Sequence, residues 1–253
     1  SQLSAISRTL TVLALFAAGC NQLNPPAAQQ QDQLQVKIEE AFRLSDADNW
    51  LFRTPALWKV EGEAGRRYLQ MGQVPKRPLL PGARRPQEYA IYTPYEFRSF
   101  ALSCFVRVDR DATTRDACVI FGRQDSTHCY YVHLSALLSG SHNTIVRVDG
   151  TTCQPLVPAN KKAKPAMADR GWHKVDILRN CDTGLIQVYI DARDANTPPS
   201  FEVKDKTYEW GFVGMGSFDA PCGFARILIE GEGRQPTNKP SIDEAVPTTA
   251  AAR

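Results

Sequence analysis

Trp172-His173-Lys174-Val175-Asp176-Ile177-Leu178-Arg179-Asn180-Cys181-Asp182-Thr183-Gly184-Leu185-Ile186-Gln187-Val188-Tyr189-Ile190-Asp191 is the stretch that decides the fold. Trp172, Val175, Ile177 and Leu178 supply the apolar positions of a first segment. Leu185 to Asp191 is a second, β-branched and aromatic one. Between them, Asn180 to Gly184 holds residues that tolerate tight backbone geometry. Two apolar runs around a short turn closed by glycine predict a β-hairpin. In its second arm Ile186, Val188 and Ile190 form the more apolar face, against Leu185, Gln187 and Tyr189. Trp172 opens a strand that reads as buried, which places it in the core. Beyond Pro198-Pro199, Gly211-Phe212-Val213-Gly214-Met215-Gly216-Ser217-Phe218 predicts a third strand, whose glycines mark close approach of another backbone or a large ring.

Working outward, the same pattern recurs. Leu57 to Gly62 and Arg67 to Met71 read as two short strands with a glycine-containing link. From Phe100 to Asp109 the alternation is clear, with Phe100, Leu102, Cys104, Val106 and Val108 on one face. Ala117 to Gln124, Tyr130 to Ser135, Thr144 to Asp149 and Phe224 to Glu230 complete the set. Val36 to Leu44 fits a short helix or a leading strand, and the Pro/Arg-rich Val74 to Pro86 is a loop. Many short strands with turn residues between them and almost no helical periodicity predict an all-β sandwich or jelly roll.

The ends read differently. Arg8 is the sole charge before Cys20, and Thr9 to Gly19 is an apolar run too short to span a bilayer. It closes on Ala17-Ala18-Gly19-Cys20, which resembles the lipobox of bacterial lipoproteins, where a peptidase cuts before a cysteine whose thiol carries diacylglycerol. The alternative is an ordinary secretory signal with Cys20 incidental. Either way the mature protein is exported, and the lipobox implies a lipid anchor in the cell envelope, on its periplasmic or surface face. Residues 1–19 are then a signal peptide and 20–35 a lipidated cysteine with a flexible, Gln-rich tether. Residues 36–231 form the folded domain, and 232–253 a disordered tail.

Composition sets further limits. The chain has 253 residues, 43% hydrophobic, with a formal net charge of +3, enough for one domain with a sizeable core. Without a basic stripe, nucleic acid is not an expected partner, and the membrane is met only through the lipid. Apart from Cys20, the cysteines are Cys104, Cys118, Cys129, Cys153, Cys181 and Cys222. In an oxidising compartment they allow up to three disulfides. Cys104, Cys118 and Cys129 fall in predicted strands and read equally as small buried hydrophobes. Cys181 and Cys222 read as turn residues. No cysteine or histidine pair has zinc spacing, so no metal or cofactor is expected. A Ca2+ site would draw on Asp109, Asp111 and Asp116, without a cage signature; a charged hairpin loop is the plainer reading.

Several segments together resemble concanavalin A-like lectin/glucanase domains. They are Phe121 to Asp125, His128 to Leu134, Trp172 to Val175, Gly184 to Asp191 and Gly211 to Phe218, in order, within roughly residues 48–231. The likeness is nearest to domains of the 3-keto-disaccharide hydrolase group, abundant in exported bacterial proteins. It implies a two-sheet antiparallel jelly-roll sandwich whose concave face holds a saccharide. The chain departs from the pattern at Gly223-Phe224-Ala225-Arg226, where the group carries Phe followed by Asp or Asn.

Catalytic chemistry has little support in the residues. Retaining glucanases of this fold set two carboxylates on one strand in a Glu-x-Asp-x(x)-Glu run, and no such run occurs; Glu202, Asp205 and Glu209 have the wrong spacing. Elimination from a 3-keto glycoside needs a base and an enolate stabiliser, for which Asp125, His128, His133 and Arg123 are candidates. Sugar binding needs an aromatic face with planar polar groups around it. Tyr131, His133 and Ser135 alternate against the core-facing Tyr130, Val132 and Leu134, and Arg147 and Asp149 oppose Val146 and Val148. Tyr131, His133 and Arg147 are therefore expected on one polar, sugar-binding face. Arg123 and Gln124 rank second, because the register of the neighbouring strand is open. A loop centred on Ser126 sets Phe121 opposite Tyr131; a shift of one residue sets Gly122 there. The reading is an exported carbohydrate-binding jelly roll, with a glycoside-cleaving enzyme as the alternative.

Overall fold

The computed structural model describes residues 34–43, 46–74, 83–108, 115–158, 164–192, 194 and 196–242. The expected signal peptide, Cys20, most of the expected tether and residues 243–253 lie outside the described residues, as do Asp109 and Asp111.

The first strands in chain order are β1 (Leu34–Glu40), β2 (Trp50–Phe52), β3 (Trp58–Glu63), β4 (Arg66–Met71) and β5 (Glu88–Tyr92). Then come β6 (Glu96–Val108), β7 (Asp116–Arg123), β8 (His128–Ser135), β9 (Thr144–Asp149) and β10 (Thr152–Pro155). The last are β11 (His173–Asn180), β12 (Leu185–Ile190), β13 (Phe201–Lys204), β14 (Phe212–Ser217) and β15 (Cys222–Arg234). They form two sheets. Sheet A runs β13-β12-β11-β6-β15-β4-β3, with β1 also on β15; sheet B runs β10-β9-β8-β7-β14-β5-β2. Every strand pairing is antiparallel. The expected all-β, two-sheet sandwich is the fold observed.

The β11–β12 hairpin forms as its residues predict. Asn180 pairs with Leu185 across Cys181 to Gly184. The Asn180 side-chain oxygen accepts from the Thr183 amide at 2.9 Å and its hydroxyl at 3.0 Å. Gly184 closes the turn at φ 75°, a left-handed conformation that costs a residue with a Cβ steric strain. Val175, Ile177, Ile186 and Val188 point between the sheets and are fully buried. The glycines of β14 act as expected too: a Cβ at Gly214 would stand 2.6 Å from the Ala90 carbonyl oxygen of β5.

Some expectations are corrected. Trp172 and Leu178 are not in the core. Strand parity that sends Val175 and Ile177 inward sends these two outward, and Leu178 is 41% exposed. Of the two readings left open for residues 36–44, the leading strand is the one observed, β1, with Val36 and Ile38 buried. The domain begins before Val36 and continues past Gly231, because β15 runs to Arg234 and Ile242 packs on the outer side of sheet B. The six described cysteines are free thiols, so no disulfide forms among them. Cys222 is the first residue of β15 rather than a turn residue. Burial pushes the Cys104, Cys118, Cys181 and Cys222 thiols up, and Cys129 up to about 12, which keeps them neutral.

Candidate functional site

The sequence-predicted site residues do not converge. Tyr131 and His133 share the outer face of sheet B, but that face is covered. Tyr89, Ile91, Cys118, Ile120, Val146 and Phe212 belong to a second apolar cluster there, with Phe218 and Ile242 packed against it. Tyr131 is 1% and His133 0% exposed. His133 donates from Nδ1 to the Ser141 carbonyl at 2.7 Å, and its Nε2 lies 3.5 Å from Asp116. Asp116, the described member of the calcium trio, accepts from the Ser217 hydroxyl at 2.5 Å. No cluster of three or more metal-ligating side chains occurs among the described residues.

Arg147 lies on the opposite face. Tyr131 pairs with Val146 and Tyr130 with Arg147, so the arginine points between the sheets beside Tyr130. The β7–β8 register differs from both anticipated settings: Ile120, not Phe121 or Gly122, stands opposite Tyr131. Arg123 is buried, donates to the Ser241 carbonyl at 2.6 Å and lies 5.3 Å from the Tyr89 ring. Gln124 is exposed and its amide donates to the His128 carbonyl, closing the β7–β8 turn. Of the catalytic candidates, the structure unites Asp125 and His128, with Nδ1 2.8 Å from the carboxylate, and separates both from His133.

Arg147 instead ties down the loop after β13. Its guanidinium donates to Asp205 at 2.5 Å, Thr207 at 2.9 Å and Gln154 at 2.7 Å, and the Tyr130 hydroxyl also donates to Asp205. Burial pushes the Asp205 carboxyl up, but the Tyr130 hydroxyl, Thr207 and Arg147 outweigh it and hold it below its ordinary value. A depressed folded-state pKa contributes stability that is present above the unfolded value and lost as pH falls through the folded one. Stability should therefore decline with acid below about pH 4, the unfolded aspartate value. Asp205→Asn should flatten that decline in urea titrations run across this range. An unchanged acid slope in the variant would assign the effect to other carboxylates.

A cleft of about 320 Å³ opens beside this loop, lined by Arg98, Arg179, Cys181, Asp182, Lys206 and Glu209. Its charges are satisfied within the protein. Arg98 bonds Asp182, Glu209 and Glu232 at 2.5, 2.6 and 2.9 Å, and Arg179 donates to the Asp205 and Tyr208 carbonyls. The cleft is a clamp on the hairpin turn.

The outer face of sheet A is different. Gly223 pairs with Gln70 and Arg107, and Ala225 with Tyr68 and Phe105. Those two small residues form a floor. Trp172 reaches over it, so that a Cβ at Gly223 would stand 3.1 Å from its ring and 3.2 Å from Tyr68. The Tyr68 and Trp172 rings meet edge to face at 5.2 Å. Arg107 lies 4.7 Å from the Trp172 ring and Arg66 5.2 Å from that of Phe105, within cation–π range. Around them, Tyr68 donates to Glu61 at 2.8 Å, Arg107 pairs with Glu63 at 2.5 Å, and Lys59 with Glu61 at 2.5 Å. Bonds from Lys59 and Tyr68 hold Glu61 below the usual carboxylate range, and hence ionised at neutral pH. The face thus combines aromatic carbon with planar donors and acceptors on a rigid sheet. Its parts lay in strands the sequence had already located. The Phe100-to-Val108 alternation alone assigns Phe105 and Arg107 to the outward side.

Comparison of the chain with protein-family models gives no match, and neither does comparison with curated proteins. Among solved structures, it is similar to the carbohydrate-binding module CBM66 from Bacillus subtilis, with a TM-score of 0.52 and 9% identity over 72% of this chain and 96% of that one. It is also similar to a GH43 protein from Bacillus licheniformis, with a TM-score of 0.50 and 11% identity over 72% of this chain and 37% of that one. At these identities the likeness is one of fold. The chain is a two-sheet antiparallel jelly-roll sandwich.

Proposed function

We propose that the protein binds carbohydrate on the outer face of sheet A, and that it is exported and held at the cell envelope by a lipid on Cys20. The observation that carries the binding reading is the cluster of Trp172, Tyr68 and Phe105 over the Gly223–Ala225 floor. A pyranose presents axial C–H groups that pack on such rings, while its equatorial hydroxyls need planar donors and acceptors at the rim. Gln70, Arg66, Arg107 and Glu61 supply them. The name of one fold relative, a carbohydrate-binding module, points the same way. No role falls to nucleic acid, since the face is neither uniformly basic nor long. Chromatography of the purified protein on a panel of immobilised glycans, with product analysis of the same mixtures, tests this. Retention of at least one glycan without cleavage is expected; retention of none would overturn it.

Glycoside cleavage, in the manner of a 3-keto-disaccharide hydrolase-like domain, is the second reading. It draws on Asp125 and His128, where a carboxylate orients a half-exposed imidazole. New reducing ends or eliminated sugars in the panel, lost in His128→Gln, would favour it.

The anchor rests on Ala17-Ala18-Gly19-Cys20. Mass spectrometry of membrane-extracted protein should find a diacylglyceryl adduct on Cys20. Cys20→Ser should release a folded, soluble domain, because two or more acyl chains are what hold such a protein stably at a membrane. A soluble parent with an unmodified Cys20 would remove the anchor from the reading.

A further inference from the structure

Building on the proposed sheet A site, we infer that its glycan carries an anionic oxo group, a uronate carboxylate or a sulfate ester, met by Arg66 and Arg226. The argument is one of unmatched charge. Most cations around the Trp172 cluster are neutralised by neighbours: Lys59 by Glu61, Arg107 by Glu63, and Lys174 by Asp176 at 2.9 Å. The carboxylates nearest the cluster, Glu61, Glu63 and Asp176, are thereby engaged. Arg66 and Arg226 are left over, with neither a hydrogen bond nor an ion pair among the described residues.

Both are placed to act on a ligand at the cluster. Arg66 follows the β3–β4 turn, where Ala64 and Gly65 take left-handed φ values of 47° and 76°. That turn sets its guanidinium 5.2 Å from the Phe105 ring and 5.5 Å from that of Trp172. At these distances the group lies within cation–π range of both rings, and its N–H groups have no acceptor among the described residues. Arg226 follows Ala225 directly, at the bulge where β15 stops pairing with β4 and begins pairing with β1. Its backbone φ is 48°, so the bulge breaks the alternation there. Phe224 and Ile227 on either side are fully buried between the sheets, and Arg226 is exposed, so it faces outward beside the floor.

A guanidinium offers parallel N–H bonds that match a carboxylate or sulfate more closely than a single hydroxyl. Neither fork has an acceptor among the described residues, and an anion would supply one to each. A neutral sugar would use the aromatic platform and leave both charges uncompensated. The anion thus determines which sugar is preferred, and the rings supply the common binding energy.

The test compares matched ligands by isothermal titration with the full chain: polygalacturonate against its carboxyl-reduced form, and a sulfated galactan against its desulfated form. The parent should bind at least one anionic member tenfold or more tighter than its neutral counterpart, with the gap narrowing as salt is raised. Which pair discriminates identifies the group as carboxylate or sulfate. Arg66→Gln combined with Arg226→Gln should abolish the gap between the anionic and the neutral member, while Arg66→Lys should retain part of it. Equal binding of both members of each pair by the parent would overturn the anionic inference and leave the carbohydrate reading intact; that comparison needs no variant to fold. Binding of no glycan, charged or neutral, would instead overturn the carbohydrate reading itself. A tenfold preference that persists in the folded double variant would remove these two arginines from the account.

Discussion

Val188→Asp is expected to destabilise the domain by about 4–5 kcal/mol, which leaves a protein of ordinary stability largely unfolded. Val188 is fully buried on β12, between Ile177 on β11 and Phe201 on β13. The two residues are close in volume, so the effect comes from charge rather than packing. The new carboxylate would lie in the apolar layer between the sheets and must either remain unsolvated or take up a proton, and both cost folding free energy. Leu178→Asp makes the same chemical change one strand away, on the outer face, where Leu178 is 41% exposed. It should move stability by no more than about 0.5 kcal/mol. Urea unfolding followed by circular dichroism separates the two. Similar midpoints for both variants would mean that β12 does not face the core.

Trp172→Ala should weaken binding of any retained glycan by about 2–3 kcal/mol, roughly thirty- to hundredfold, with little loss of stability. The ring is half-buried and lies over Gly223 on the outside of the sandwich, so removing it opens the site to water without hollowing the core. Tyr131→Ala is the informative contrast. Tyr131 is 1% exposed, and its loss should cost stability while leaving glycan affinity in the surviving folded protein unchanged. The opposite pattern, with Trp172→Ala silent and Tyr131→Ala specifically defective in binding, would move the site to sheet B.

His133 illustrates why the site is harder to read than the scaffold. A histidine between Val132 and Leu134 alternates away from the core and is expected to face solvent. In the structure, Phe218 and His142 pack 4.8 and 4.7 Å from its ring. Nothing local to Tyr130–Ser135 announces that cover. Arg147 carries a second lesson. Its face depends on whether Tyr130 or Tyr131 pairs with it, and a single step of register moves a side chain to the other side of a sheet.

The sequence by itself determined the strands, the β11–β12 hairpin and the inward set Val175, Ile177, Ile186 and Val188. Each depends on chemistry within a few residues: side-chain alternation, β-branching, and a glycine where the turn needs left-handed backbone. The tertiary structure alone decided which outer face stays open. Sheet B is sealed by Phe212, Phe218 and Ile242, whereas sheet A leaves Phe105 and Trp172 partly open beside the buried Tyr68 and Gly223. These groups are brought together by cross-strand registers between segments tens of residues apart. A strand's own pattern identifies its two faces, but what covers each face is supplied by other parts of the chain.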